Sequence, residues 1–168
     1  MTRTIPEWAK TDAVDYDPRL IIRFQFDGSD GLFKCGDRES ESLKMQPLAY
    51  RQHNSERWGR VKQSWMDIAF LDNDDDVCIL SLNKQSNVEM SIFLSKMLKD
   101  GIALQSVSLQ LAAKAMPVKI LSEDEEVISG SYYIVDPFEE YEFVPELQFE
   151  KAIAILEKFR WALIGEVA

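Results

Sequence analysis

The chain has 168 residues, of which 46% are hydrophobic and 29% are charged, and its formal net charge is −10. This composition excludes a disordered or collagen-like chain and predicts one well-filled core. No apolar run reaches the roughly 18 residues of a membrane span, and residues 1–10 are too polar for a signal peptide, so we expect a cytoplasmic protein with no membrane partner. One His and two Cys are too few for a four-ligand zinc site, and we expect no metal or cofactor.

The charge is unevenly distributed along the chain. Residues 1–63 carry 11 basic and 10 acidic side chains, whereas residues 64–168 carry 8 basic and 19 acidic ones. Within the first part, residues 32–63 carry seven basic and four acidic side chains, a net charge of +3. Residues 123–146 carry nine acidic side chains and no basic one. A protein that is acidic overall therefore contains one basic window.

Residues 1–18 contain Pro6 and Pro18 and little periodicity, which predicts a mobile N-terminal arm before a single domain at residues 19–168. Within the domain, alternation of apolar and polar side chains predicts seven strands. Pro47 restricts the third strand to a sheet edge, a bulge or a loop. In chain order the strands are expected at Ile22–Phe26, Leu32–Cys35, Ser42–Tyr50, Gln63–Leu71, Val77–Leu82, Gln105–Leu111 and Ser131–Asp136.

Two helices are predicted. Ser86 and Glu89 form a capping box and Gly101 is a C-terminal cap, so the first helix is expected at Asn87–Asp100. Its apolar stripe comprises Val88, Ile92, Phe93 and Met97. Pro145 opens a second helix, whose wide apolar face continues to Gly165. Strands that are not regularly interleaved with helices predict an α+β fold.

The sequence favours binding over catalysis. His53 lies among polar residues, which predicts an exposed loop, and no nucleophile is paired with it by spacing. Cys35 and Cys78 have apolar neighbours that are typical of core thiols. Asp72, Asp74 and Asp76 alternate as calcium ligands do, but the glycine and glutamate of a calcium loop are absent. An enzyme that uses carboxylates alone is a third, weaker hypothesis.

The basic window mixes cations with aromatic rings. Single-stranded nucleic acid binding needs this combination, because cations contact the phosphates while rings stack on bases. Trp65 alternates with Met66, Ile68 and Phe70, which predicts an exposed indole on the opposite face of its strand. The candidate binding residues are Tyr50, Arg51, Arg57, Trp58, Arg60, Lys62 and Trp65.

A protein-interaction or assembly module is the alternative. Residues 136–143 interleave acidic and aromatic side chains, as interaction segments do, and the terminal helix offers an apolar face that would serve a homodimer. The candidate partner-binding residues are Phe138, Glu139, Glu140 and Tyr141.

The order of elements from Arg19 to Asp136 resembles the OB-fold, a five-stranded Greek-key barrel with a helix between its third and fourth strands. Here the helix Asn87–Asp100 follows the strand Val77–Leu82 and precedes the strand Gln105–Leu111. With the basic and aromatic window, the chain is similar to single-stranded DNA-binding proteins of phages and plasmids, and the resemblance implies an antiparallel OB-like barrel. The acidic tail that usually ends such chains is replaced here by an apolar helix and an internal acidic segment.

Overall fold

A computed structural model describes residues 21–56, 62–121, 123–125, 127–137 and 140–164, with side chains in the second helix up to residue 158. Among these residues, no helix is both long enough and apolar enough to cross a membrane. The predicted N-terminal arm, residues 1–18, lies outside the described residues.

Among the described residues, nine strands form one mixed sheet, and two helices pack against it. The elements are β1 (Ile22–Asp27), β2 (Leu32–Cys35), β3 (Arg38–Ser40), β4 (Ser42–Ser55), β5 (Gln63–Leu71), β6 (Val77–Asn83), α1 (Lys84–Lys99), β7 (Val107–Leu121), β8 (Val127–Asp136), β9 (Tyr141–Phe143) and α2 (Glu146–Ile164). Eight strands follow the order β3-β2-β1-β6-β5-β4-β7-β8, and β9 pairs with β7 after β8 ends. A short 3₁₀ turn, Leu104–Ser106, precedes β7.

The sheet curls into a half-barrel around α1. One face of the sheet, which we call the inner face, carries the larger hydrophobic core, and α1 contributes Met90, Phe93, Leu94 and Met97 to it. The strands on both sides of the curl contribute as well, from Phe33 in β2 to Val135 in β8. Burial of this apolar surface is the main stabilising term for the half-barrel.

The opposite, outer face is divided into two parts. Over one part lies α2, whose Ala152 is fully buried against a smaller core that contains Leu48, Ala69, Leu71 and Ile79. The other part, formed by the first half of β5 and its neighbours, is polar. Of the predicted binding residues, this part of the outer face contains Arg51 and Trp65.

The hairpin of β7 and β8 extends beyond the body of the sheet. Among the described strands, β4 pairs with β7 only as far as Ala112, whereas β8 pairs with β7 up to Leu121. The Tyr133 N–H still donates to the Gly28 carbonyl at 2.8 Å, but from Val127 to Tyr132 the outer edge of β8 has no described strand beside it. The end of the hairpin is therefore a two-stranded ribbon.

The strand predictions are largely confirmed. The first two strands form the expected hairpin, and β5 has the predicted bounds. Pro47 does lie at a bulge, between Pro47 and Ala49, but β4 is a long central strand that continues to Ser55. Because β7 pairs with β4 only up to Met45, the missing N–H of Pro47 costs no ladder hydrogen bond on that side.

The prediction for the start of the first helix is wrong. The helix begins at Lys84, three residues before Asn87, and Ser86 lies inside it, where its buried Oγ accepts a hydrogen bond from the Val135 N–H at 3.0 Å. The Ser86 hydroxyl thus serves a tertiary contact with β8 in place of the capping box. The C-terminal prediction is confirmed, because Gly101 has a φ of 76° and the helix ends at Lys99.

The predicted antiparallel barrel is also corrected in one respect. Residues Ile22–Gln25 of β1 pair in parallel with Cys78–Ser81 of β6, so the sheet is mixed. The α+β class and the helix between β6 and β7 are as expected.

Candidate nucleic-acid interface

The candidate binding residues lie along β4 and β5, which are antiparallel neighbours. The register pairs Tyr50 with Ile68, Arg51 with Asp67, and His53 with Trp65. Since successive side chains of a strand point to opposite faces, adjacent residues of the window cannot share one surface. The structure therefore divides the predicted site between the two faces of the sheet.

Tyr50 belongs to the inner face. Its ring is half-buried and packs against the larger core, next to residues that pack on α1. Arg51, the next residue, points to the outer face. The sheet therefore places these two predicted binding residues on opposite faces, so they do not share one binding surface.

The predicted exposure of Trp65 is wrong. The side chain does lie on the face opposite Met66, Ile68 and Phe70, but it is only 3% exposed. Its Nε1–H donates to the Ser55 carbonyl at 3.2 Å, which satisfies the one polar atom of the ring. Trp65 thus anchors the end of β4 against β5, and a buried indole offers no face for stacking.

A buried carboxylate organises the outer face. Asp67 is 5% exposed, and its Oδ1 accepts a hydrogen bond from the Ser81 hydroxyl at 2.7 Å. Its Oδ2 is contacted by His53 Nε2 at 3.0 Å and by Arg51 at 3.4 Å. Side chains from the two strands that flank β5 therefore converge on one carboxylate, and their hydrogen bonds offset the cost of burying it.

His53 lies in strand β4, so the prediction of an exposed loop is wrong. A carboxylate that is ionised only accepts hydrogen bonds, so the contact with Asp67 requires a proton on His53 Nε2. The other ring nitrogen, Nδ1, lies 2.7 Å from the Ser55 hydroxyl. Sequence spacing alone missed this chain of three side chains, because the register of β4 and β5 is what brings Asp67 to His53.

The chain from Ser55 through His53 to Asp67 has the composition of a hydrolase triad. The two ring nitrogens are used in the opposite order, because in the serine-protease arrangement the carboxylate is on Nδ1 and the serine on Nε2. Ser55 and His53 also lie two residues apart on one strand, a spacing that favours a local hydrogen bond. The arrangement fixes the orientation of the imidazole and gives the buried Asp67 carboxyl hydrogen-bond partners.

Two arginines lie on the same face of the sheet as the buried Asp67 carboxylate. The Arg51 side chain is 43% exposed, and Arg23 and Gln25 are exposed on the same face of β1. Gln25 aligns with Ser81 and Ser81 with Asp67, so Gln25 continues the row that Arg51 and Asp67 begin. On the outer face of β4 after the bulge, β5 and β6, Asp67 is the one carboxylate among the described residues.

The remaining candidate residues flank this face. Lys62 is exposed immediately before β5. Arg57, Trp58 and Arg60 lie outside the described residues, in the segment 57–61 that joins β4 to β5. Glu56 is an exposed acidic residue at the end of β4, at the border of the face.

The alternative partner-binding segment leads into β9, the short strand that pairs with β7 after β8 ends. Phe138 and Glu139 lie outside the described residues. Glu140 is exposed, and Tyr141 is half-buried with its ring 5.8 Å from that of the exposed Phe143. A groove of about 680 Å³ runs beside this segment, lined by Lys44, Ser108, Leu109, Gln110, Glu140, Tyr141 and Glu142.

The Asp-rich loop brings its carboxylates together. Oxygen atoms of Asp72, Asp74 and Asp76 all lie within 4.8 Å of one another. Asp72 Oδ1 accepts the backbone N–H groups of Asp74 and Asp76, both at 2.9 Å, and these bonds shape the turn between β5 and β6. The loop geometry therefore has an explanation within the chain.

No protein-family model matches this chain. No curated protein matches it either.

Proposed function

We propose that the protein binds single-stranded nucleic acid without catalysis, through the polar part of the outer face and the adjoining segment 57–61. In this proposal Arg51, Arg23 and Lys62 contact phosphates, and Arg57 and Arg60 add to them. Trp58 replaces the buried Trp65 as the ring that stacks on a base. The half-barrel is then an OB-like scaffold, a proposal supported by its curl and by the position of α1 between β6 and β7.

The observation that carries the proposal is the contact between Arg51, whose side chain is exposed, and the buried Asp67 carboxylate. Asp67 lies below the surface and is contacted by Ser81 and His53 as well as by Arg51. A guanidinium held by an ion pair in this way is partly preorganised, so less side-chain entropy is lost when it binds a phosphate. Local potential, which decides where a polyanion binds, is then set by exposed cations.

The location of the exposed acidic residues also supports the proposal. The loop of Asp72, Asp74 and Asp76 begins five residues beyond Asp67 along β5, roughly 17 Å away at the usual rise of a strand. Further acids lie at the turn of the β7–β8 ribbon and along β9. In the plane of the sheet, Arg23 and Arg51 are three strand spacings apart across the strands and two residues apart along them, about 16 Å in all, which is within the footprint of a few nucleotides.

The test is a salt titration of binding to a fluorescently labelled oligothymidine, measured by anisotropy. We expect binding at low ionic strength, and the logarithm of the association constant should fall linearly with the logarithm of the salt concentration. Arg23→Ala and Lys62→Ala should each make that slope shallower by about one, because each removes one phosphate contact. Trp58→Ala should weaken binding by about 1 to 3 kcal/mol and leave the salt slope unchanged.

The matched control is Lys99→Ala, at the exposed end of α1 on the inner side of the sheet, which should leave both affinity and slope unchanged. An absence of binding at low ionic strength would refute the proposal. Equal weakening by Lys99→Ala and Arg23→Ala would also contradict it, because it would show a diffuse charge effect with no defined face.

A further inference from the structure

The turn of the β7–β8 ribbon exposes apolar side chains that no other described part of the chain covers. Leu121 and Val127 are a cross-strand pair, and they are 67% and 63% exposed. Exposed acidic residues follow in the turn itself. We call this group the arm tip: Leu121, Glu123, Asp124, Glu125 and Val127.

The tip lies away from the body of the molecule. The described backbone contact between the ribbon and the rest of the sheet that lies nearest the tip is Tyr133 to Gly28, and Tyr133 comes six residues after Val127 along β8. At the rise of a strand, the tip is about 20 Å beyond that contact. Ten register pairs, from Ala112 with Asp136 to Leu121 with Val127, hold the two strands together as a ribbon up to the tip.

A groove of complementary character lies beside the start of α1. Its volume is about 460 Å³, and its exposed apolar residues are Val88 and Ile92, the latter 61% exposed. Polar groups in its wall satisfy one another, since Gln52 Nε2 donates to Ser91 Oγ at 2.5 Å and Asn87 Nδ2 to Ser64 Oγ at 3.4 Å. We call it the helix groove, and it is lined by Gln52, Gln63, Ser64, Lys84, Asn87, Val88, Ser91 and Ile92.

The charges of the two surfaces are opposite. Lys84 is the one charged residue in the lining of the helix groove, and it is exposed at the start of the helix. Its φ of 51° is a conformation that a lysine rarely adopts, and it fixes the direction in which the chain enters the helix beside the groove. The arm tip, in turn, carries three exposed carboxylates next to its apolar pair.

We propose that the arm tip of one molecule docks in the helix groove of a second copy, with the reciprocal contact closing a two-fold dimer. The occupant is a second copy because one chain presents both an apolar, acidic projection and an apolar groove that carries a lysine, so two copies offer each other complementary surfaces. Two identical contacts then close the assembly, as is usual for homodimers. This surface differs from the nucleic-acid face, and the inference does not depend on the proposed function.

The test is the mass of the full chain in solution, measured by light scattering and sedimentation equilibrium over a wide range of concentrations. We expect twice the chain mass of 19.4 kDa at high concentration. Val127→Ser and Ile92→Ser should each raise the dimer dissociation constant roughly tenfold or more, because each removes apolar area from both copies of the contact. Leu98→Ser, an exposed residue near the other end of α1, is the matched control and should change nothing.

A charge exchange separates the contact from a folding defect. Lys84→Glu should weaken the dimer roughly tenfold, and Lys84→Glu combined with Asp124→Lys should restore most of the lost affinity. A monomer at every concentration would overturn the proposal. A dimer that resists Val127→Ser and Ile92→Ser, or open-ended polymers in place of a closed dimer, would overturn it as well.

Discussion

His53 Nε2 lies 3.0 Å from Asp67 Oδ2, across the two central strands that carry the candidate site. The contact is one of several that Asp67 makes while only 5% exposed. A carboxylate in this position is stable in the folded chain only while its donors remain, so the surface cations and the buried acid depend on each other.

We therefore predict that Asp67→Ala destabilises the protein by about 3 kcal/mol, because the Ser81 hydroxyl, the imidazole and the guanidinium each lose an acceptor. Urea unfolding followed by circular dichroism measures this change. Asp74→Ala, at an exposed position of the β5–β6 loop, is the control and should stay within about 0.5 kcal/mol. Equal effects of the two substitutions would mean that Asp67 has no structural role.

The turns on either side of β2 predict a difference between two glycines, Gly31 before the strand and Gly36 after it. Gly31 has a φ of 69°, and a Cβ placed there would lie 2.8 Å from Cγ of Tyr133. Gly36 has a φ of 57°, but a Cβ there would meet nothing within 4 Å. We expect Gly36→Ala to cost about 1 kcal/mol for the backbone alone and Gly31→Ala roughly 3 kcal/mol, since the ring must also move.

Thermal and urea unfolding of the two variants measure that difference. The combination of Gly31→Ala with Tyr133→Ala should cost less than the sum of the single changes, because the colliding ring is gone. Simple additivity would contradict the contact between this turn and β8.

The two thiols should differ in reactivity. Cys78 is fully buried, and burial, reinforced by the nearby Asp72 carboxylate, raises the pKa of its thiol well above the usual range. Cys35 is only partly buried. We expect iodoacetamide to modify Cys35 in the native protein at neutral pH and Cys78 only after unfolding, as read by peptide mass spectrometry. Modification of Cys78 at the same rate as Cys35 would show that the core opens readily.

The attachment of α2 should depend on pH. The Lys151 ammonium, 2.6 Å from Asp75 Oδ2, lowers the pKa of the Asp75 carboxyl, and Gln148 adds a hydrogen bond at 2.7 Å. A lowered pKa in the folded state means that this contribution to stability is present above the ordinary aspartate pKa. It is lost as the pH falls through the lowered value.

An NMR titration of the Asp75 side-chain carbon measures this pKa directly. In Lys151→Ala the pKa should rise toward the ordinary value of aspartate, and acid unfolding should begin at a higher pH. Lys99→Ala, far from Asp75 on α1, serves as the control. An unchanged Asp75 titration in Lys151→Ala would contradict the contact between the loop and α2.

Sequence alone could predict most of the strands, because their apolar and polar residues alternate. It placed β5 correctly and even assigned Trp65 and Met66 to opposite faces. It could not predict that Trp65 is buried, since that depends on packing and on the hydrogen bond to the Ser55 carbonyl. Alternation reports the direction of a side chain and carries no information about what covers it.

The capping box at Ser86 and Glu89 shows the same limit. The pattern is a common helix start, yet the Ser86 hydroxyl binds the Val135 N–H, and Glu89 accepts from Gln85 at 2.9 Å. A long-range partner in β8 determines the role of Ser86, and local sequence does not contain it. The network of His53 and Asp67 was missed for the same reason, because it depends on the register of two strands separated by the segment 57–61.

The parallel pairing of β1 with β6 has a consequence for the order of folding. The hairpins β4–β5 and β5–β6 join neighbours along the chain, so they close short loops and form early. β1 must wait for the edge of β6, more than 50 residues later in the sequence, and a parallel partner cannot be reached by a tight turn. We expect the β1–β3 unit to dock last and to exchange its amide hydrogens before the β4–β6 meander does.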